Sequence, residues 1–324
     1  MNNSANQRVA DAPSDNWVYR ILPVAIWPYA QLARWDRPIG WQLLLWPCWW
    51  SLALAINVSL AANNNDPDPL IGPPIILFSF GVFVALFLTG AIAMRGAGCT
   101  YNDLVDKDID AKVARTASRP IPSGRVTSSQ AKMFMILQAL IGALVLFSFN
   151  WFSVWLGLAS LIIVAIYPFA KRVTNWPQFV LGLAFSWGAL MGWAVVFGDL
   201  GCPSLLLYAG SILWVIGYDT MYAHQDKEDD ALVGVRSTAR LFGEKTKLAL
   251  VLLYGMALSL FFASFQLAAI SWPAYVGLAI GAVHMGWQIK VLDIDDGDQC
   301  LKLFKSNNHF GWIVFIGLLA SMLF

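Results

Sequence analysis

Hydrophobic positions along the chain gather into charge-free runs at 38–65, 69–94, 133–170, 173–198, 200–218, 248–289 and 306–324, separated by short polar segments. A helix needs about 20 apolar residues to cross a bilayer, and each run is long enough. Two runs are too long for one helix, and each carries a turn signal near its middle: Asn150-Trp151 in the first and Ser271-Trp272-Pro273 in the second. The pattern therefore predicts an all-α polytopic membrane protein with nine transmembrane helices. They fall near 40–58, 73–95, 131–149, 151–169, 178–197, 203–221, 248–269, 272–291 and 308–324.

Composition sharpens this picture. Of the 324 residues, 58% are hydrophobic and 13% charged, where a soluble domain carries about a quarter charged residues, so a soluble enzyme is excluded. A net charge of +1 lacks the electrostatic footprint of a nucleic-acid binder. The four cysteines, Cys48, Cys99, Cys202 and Cys300, show no CxxC spacing and read as free thiols. With nine alternating spans, all 21 Lys and Arg residues fall on one side of the membrane. By the positive-inside rule that side is the cytoplasm, with the N-terminus inside and the C-terminus outside. The first 37 residues mix Arg8, Arg20, Arg34 and Arg37 with Asp11, Asp15 and Asp36, and show no signal-peptide or transit-peptide pattern.

The carboxylates depart from an even spread. Only Asp66, Asp68 and Asp199 of the 20 lie on the outer side, and two clusters stand out on the inner one. The first follows the second span. At about 100° per residue, Asn102, Asp106, Asp110 and Asp103 fall at about 0°, 40°, 80° and 100° on a helical wheel, while Asp108 falls at about 240°. Three carboxylates and an amide thus share one face. The second cluster follows the sixth span, where Asp219, Asp226 and Asp230 fall within about 40° of one another, so again three carboxylates share a face. Crowded carboxylates repel unless cations neutralise them. Oxygen ligands without His or Cys select a hard cation, and Mg²⁺ is usually held by a few carboxylates together with substrate phosphates.

The clusters are related in sequence. Asp106-Lys107-x-x-Asp110-Ala111-x-Val113 recurs as Asp226-Lys227-x-x-Asp230-Ala231-x-Val233, a weak parallel repeat at an offset of 120 residues. The offset covers four spans, so both copies share one orientation. Each is followed by arginines: Arg115, Arg119 and Arg125, then Arg236 and Arg240. The planar guanidinium fork matches phosphate oxygens, although positive-inside topology also accounts for cations here. Lys171-Arg172, in a short loop after the fourth span, and Arg37, leading into the first, are candidate holders of an anionic co-substrate or headgroup anchors. His224, His284 and His309 stand singly and give no metal-ligand spacing.

Residues Asn102-x-x-x-Asp106-x-x-Ile109-Asp110-x-x-Val113-x-Arg115-Thr116-x-x-Arg119 resemble the signature of the UbiA intramembrane prenyltransferases, and the second acidic cluster resembles their other motif. Arg37-Pro38-Ile39-Gly40 before Leu43-Leu44-Leu45-Trp46-Pro47, Tyr218-Asp219-Thr220-x-Tyr222-Ala223-x-x-Asp226, and Asn307-Asn308-x-x-Gly311 are similar to the branch that acts on 4-hydroxybenzoate in ubiquinone biosynthesis. The resemblance starts near residue 34. It divides the chain into a cytoplasmic extension, 1–33, and a membrane prenyltransferase domain, 34–324.

The resemblance implies nine helices around a central cavity that holds a polyprenyl diphosphate, in a bacterial inner (cytoplasmic) membrane. Mg²⁺ ligands would come from Asn102, Asp103, Asp106, Asp110, Asp226 and Asp230. Substrate would be bound by Asn102, Asp103, Arg115, Arg119, Lys171 and Arg37, with Asp106, Asp226, Asp219 and Arg172 as catalytic residues. Another acceptor, of the naphthoate, haem or chlorophyllide type, fits the same diphosphate chemistry. The other class is a cation-coupled transporter, against which the acids cluster at span ends and the apolar segments carry no charged pathway.

Overall fold

The computed structural model describes residues 8–10, 12–13, 15–65, 72–113, 116–227 and 236–324, with the backbone alone at 171, 172 and 226. Every regular element among them is helical. Two short helices, α1 (Trp17–Ile21) and α2 (Trp27–Leu32), precede the long ones: α3 (Ile39–Asn65), α4 (Pro73–Asp110), α5 (Ser128–Leu146) and α6 (Trp151–Val173). Then follow α7 (Pro177–Ser186), α8 (Gly188–Phe197), α9 (Cys202–Ala223), the short α10 (Thr238–Phe242), α11 (Thr246–Leu267), α12 (Trp272–Val291) and α13 (Gly297–Ser321).

Local chemistry sets the ends. Thr127 and Gln130 close a capping box on α5, and Asn150 caps α6 by accepting from Ser153 N. Asn150 is the predicted turn in the long run 133–170, and its amide nitrogen also donates to Ala194 O at 2.8 Å. Gly198, at φ +72°, ends α8 in the left-handed region that glycine adopts without strain. The second predicted turn is Pro-stopped: Ser271 precedes α12, which opens on Trp272-Pro273.

Helix is present at each of the nine predicted places. Among the described residues, seven helical stretches are long and apolar enough to cross a membrane. α12 and α13 are not among them: His284, Gln288 and Lys290 dilute the first, and the first half of the second carries Asp298, Gln299, Lys302, Lys305, Asn307 and Asn308. Exposed side chains such as Phe78, Leu144, Ile162 and Val283 form the apolar outer surface expected of helices facing lipid.

Two local expectations are corrected. α6 continues to Val173, so Lys171 and Arg172 ride its last turn and are not in a loop. α9 stops at Ala223, and a 3₁₀ turn covers His224–Asp226. The tighter winding there removes the uninterrupted 100° step on which the shared face of Asp219 and Asp226 depended.

The chain divides into two compact units, 1–42 with 88–148 and 43–87 with 149–324. In the first, Leu32, Val126 and Ala131 form a core with Tyr29, Leu104, Ile121 and Phe134 packed around it. In the second, Trp50, Trp214 and Phe310 pack with ring centroids 4.9–5.8 Å apart. Both indoles are satisfied, Trp50 donating to Gly311 O and Trp214 to Asn307 Oδ1, each at 2.9 Å.

Small residues allow close helix approach in this second unit. A Cβ at Gly192 on α8 would stand 2.5 Å from Cys48 O and from Leu52 N, both backbone atoms of α3. At Gly255 on α11 it would meet nothing within 4 Å. Gly192→Ala is therefore expected to destabilise by about 1–3 kcal/mol through overpacking, whereas Gly255→Ala leaves stability unchanged or raises it by about 0.5–1 kcal/mol. Thermal unfolding of the two variants in detergent checks the difference.

Candidate functional site

Thirty-eight residues make α4 about 57 Å long, well beyond the roughly 30 Å hydrocarbon core of a bilayer. Its polar last turns, past the apolar stretch 73–94, therefore project from the membrane as a continuous helix. The predicted face is visible in burial. Asp103, Asp106 and Asp110 are 0%, 2% and 7% exposed and Asn102 is half-buried, while Lys107 and Asp108 face outward.

Guanidinium groups meet the buried acids. Arg34 Nη2 lies 2.6 Å from Asp103 Oδ1, and its Nη1 donates to Gln31 O at 2.7 Å. Arg119 Nη1 reaches both Asp110 Oδ2 at 2.9 Å and Asp103 Oδ1 at 3.4 Å. Arg119 is carried there by the chain after α4, which folds back on itself. Thr116 Oγ1 donates to Asp110 O at 2.9 Å, Val126 N to Pro120 O at 3.0 Å, and Gly124 turns at φ +72°. At the end of α4, burial raises the Asp110 carboxyl above its ordinary range, Arg119 pulls it down, and Asp103 pushes it up again.

Arg34 adopts φ +58°, a left-handed conformation that costs a residue with a Cβ about 1–2 kcal/mol. Losing one partner of a buried ion pair costs about 3–5 kcal/mol. The pair with Asp103 thus outweighs the strain. Arg37 is engaged differently, its Nε and Nη2 lying 3.1 and 3.3 Å from the two carboxylate oxygens of buried Asp36.

Arg95 is a cation that sequence reasoning counted only toward topology. It precedes Asn102 by seven residues, which returns it to within about 20° of the same helical face. A Cβ at Gly40 would stand 2.8 Å from its Nε, so the glycine of Arg37-Pro38-Ile39-Gly40 makes room for that side chain. The seven-residue spacing was the available signal.

The second acidic segment is described in part. Asp219 is half-buried near the end of α9. His224, just beyond, is buried with Nε2 3.0 Å from Thr246 Oγ1. Burial, reinforced by Lys227, pushes its imidazole down to about 4, so it is neutral at physiological pH. Asp226 is placed by its backbone in the 3₁₀ turn, and Lys171 and Arg172 by theirs on α6; Arg115 and Asp230 lie outside the described residues.

Among the described residues no three His, Cys, Asp or Glu side chains form a metal cage of their own. The donor set nonetheless fits Mg²⁺, which keeps waters and takes phosphate oxygens. Asn102, Asp106 and Asp110 offer hard oxygens on one face. Asp103 gives Oδ1 to the arginines, while its buried Oδ2 has no hydrogen-bond partner among the described residues, a position suited to a cation or its water.

Fold and site together define an integral membrane protein with acidic, arginine-braced helix turns at the end of apolar helices. The model of the UbiA prenyltransferase family matches residues 44–316. The chain belongs to the UbiA prenyltransferase family. It is 44% identical over 298 residues to the mitochondrial 4-hydroxybenzoate polyprenyltransferase of Aedes aegypti, covering 92% of this chain and 64% of that relative's length. The Arabidopsis thaliana protein of the same name is 45% identical, with 95% and 72% covered, and that of Caenorhabditis elegans 42%, with 99% and 85% covered.

Solved structures agree on the fold. A UbiA homologue from Aeropyrum pernix K1 superposes with a TM-score of 0.67 at 23% identity, over 86% of this chain and 98% of that one. A homologue from Archaeoglobus fulgidus bound to GPP and Mg²⁺ gives 0.63 at 16% identity, over 92% and 100%.

The burial pattern separates neighbouring acids on α4. Asp106→Ala is expected to lower prenyl transfer by about 100-fold or more, as loss of a transition-state charge ligand does, while Asp108→Ala stays within about two-fold because its side chain faces solvent. Turnover in matched membrane preparations checks this, and equal losses would refute the assigned face.

Proposed function

We propose that the protein transfers a polyprenyl group from polyprenyl diphosphate to the ring carbon ortho to the hydroxyl of 4-hydroxybenzoate, releasing diphosphate, in ubiquinone biosynthesis. The observation that carries this reading is the buried acidic face of α4 with Arg34 and Arg119 on it. The names of the relatives supply the acceptor. The chain spans less than two thirds of the mosquito relative's length and more of the others.

Mg²⁺ would be held by Asn102, Asp103, Asp106 and Asp110 from the first acidic segment and by Asp226 and Asp230 from the second. When bound it neutralises charge on the departing diphosphate. Arg119 and Arg115 donate to diphosphate oxygens, assisted by Lys171. The allylic C–O bond breaks with its electron pair leaving on the diphosphate, the ring carbon ortho to the phenol bonds to the allylic carbon, and the ring proton departs to a base. Asp219 orients the phenol or accepts that proton. Arg172 and then Arg37 are the candidates to bind the benzoate carboxylate, with Arg95 a further cation on the face of Asn102. Lipid accommodates the apolar tail, which is why such chemistry belongs in a membrane.

The asymmetry of Lys and Arg supports an N-terminus in the cytoplasm and a C-terminus outside. We place the chain in a bacterial inner membrane; the relatives above are named mitochondrial.

A membrane-fraction assay with 4-hydroxybenzoate and a short polyprenyl diphosphate tests the proposal. Prenylated benzoate forms with Mg²⁺ and disappears with EDTA, and Asp226→Ala abolishes it while the protein remains folded. Absence of product from folded wild-type protein, followed by product with a naphthoate or a porphyrin-type acceptor, would overturn the acceptor and keep the diphosphate chemistry.

A further inference from the structure

The segment ahead of α3 lies outside the region matched by the family model, yet it is bound into the surroundings of the first acidic motif. Gln31, on α2, is fully buried. Its side-chain oxygen accepts from Arg125 Nη1 at 2.9 Å, and its amide nitrogen donates to Tyr19 OH at 3.1 Å. Its backbone oxygen accepts from Arg34 Nη1 at 2.7 Å. One residue therefore touches both an arginine near the end of the 116–127 loop and the arginine that pairs with Asp103.

The contacts form a continuous chain, from Arg125 through Gln31 and Arg34 to Asp103, then Arg119 and Asp110. Ala10 N donates to Ser118 Oγ at 2.8 Å and so ties the same two segments together. Within the loop Arg125 Nη2 donates to Ser118 O, and Tyr29 packs edge-on against Phe134 of α5 at 5.3 Å. The Arg8 guanidinium lies 5.3 Å from the centre of the Tyr19 ring.

We propose that Gln31 is a positioning residue, through which the segment 15–33 holds the 116–127 loop so that Arg119 stands against Asp103 and Asp110. A buried amide suits this task. It has both a donor and an acceptor to commit, and it carries no charge to compete with the acids for Arg34 or Arg119. The pre-membrane segment is then part of the diphosphate site's framework. Its effect on catalysis rests on the prenyl-transfer reading; its effect on the loop does not.

Full-length protein in nanodiscs is the material for the test, with Gln31→Leu, Arg125→Met, the double variant, the milder Ser118→Ala, Gln31→Glu and the surface control Arg20→Ala. Amide hydrogen exchange over 116–126 reads the loop, and separate KM and kcat values read the site. Loss of a buried hydrogen bond predicts exchange faster by about 5- to 10-fold and a KM for prenyl diphosphate higher by a similar factor, with kcat and the acceptor KM within about two-fold.

The double variant should fall short of the sum of the two single effects, since both substitutions remove the Gln31–Arg125 contact while each also removes others of its own. Gln31→Glu, which still accepts from Arg125 but adds the charge that the amide avoids, should keep loop exchange near wild type, and Arg20→Ala should match wild type. Ser118→Ala should speed exchange in the same stretch if the bulkier replacements do not fold. Unchanged exchange in the folded variants would overturn the proposal. So would additive losses, or a fall in kcat and melting temperature with both KM values unchanged. Wild-type protein that makes no prenylated product would instead fail the functional reading, leaving the exchange result to judge the brace.

Discussion

Carboxylates buried side by side on one helical face repel each other, and the last turns of α4 tolerate Asp103 and Asp110 beside Asp106 because guanidinium groups are brought to Asp103 and Asp110. Much of the first unit follows from that need. Arg34 is held in a left-handed conformation to reach Asp103. The chain after α4 turns back over itself to deliver Arg119, and the core of Leu32, Val126 and Ala131 fastens the loop to the preceding helices. Strain of about 1–2 kcal/mol at Arg34 is smaller than the roughly 3–5 kcal/mol of a broken buried pair, so the conformation persists.

The second unit answers a different demand. Lipid gives apolar helices little reason to associate, so close packing and satisfied polar groups must hold them. Gly192 lets α8 approach the backbone of α3, and Asn57 donates to both Ala53 O and Leu318 O. Trp214 and Asn307 join α9 to α13 in the same way. These fixed contacts give a rigid base to Asp219 and to the 3₁₀ turn that carries Asp226. For the proposed chemistry, rigid placement of charge matters more than any single contact, because preorganised groups stabilise a departing diphosphate without reorganising during the reaction.

Much of this was legible in the sequence because the bilayer is a severe selector. Charge-free runs located the helices, and the spacing of Asn102, Asp103, Asp106 and Asp110 gave the buried face, with Asp108 rightly placed outside it. What escaped depended on tertiary contacts or on departures from ideal helix. Periodicity carries no mark of the change to 3₁₀ winding at His224, so the face drawn through Asp219 and Asp226 assumed too regular a helix. α6 outlasts its apolar run by one turn because Lys171 and Arg172 are good helix formers. Nine crossings were expected; seven helical stretches among the described residues are long and apolar enough to cross a membrane, and α12 and α13, which stand at the other two places, are diluted by polar residues. Gln31 is an unremarkable residue in a short segment, and its role exists only through contacts about 90 residues away along the chain. Arg95 was hidden by a sufficient topological explanation for every cation.

In the proposed chemistry the acidic face of α4 binds a divalent cation together with a diphosphate. Mn²⁺ as a paramagnetic substitute for Mg²⁺ addresses it directly, by titrating purified protein with and without a non-reactive thio-analogue of a prenyl diphosphate and following bound metal by EPR. The analogue is expected to tighten Mn²⁺ binding by about 10-fold or more, since the protein's few carboxylates leave coordination positions for phosphate oxygens, and Asp106→Asn to remove this enhancement. Mn²⁺ binding that is indifferent to both the analogue and Asp106→Asn would contradict it.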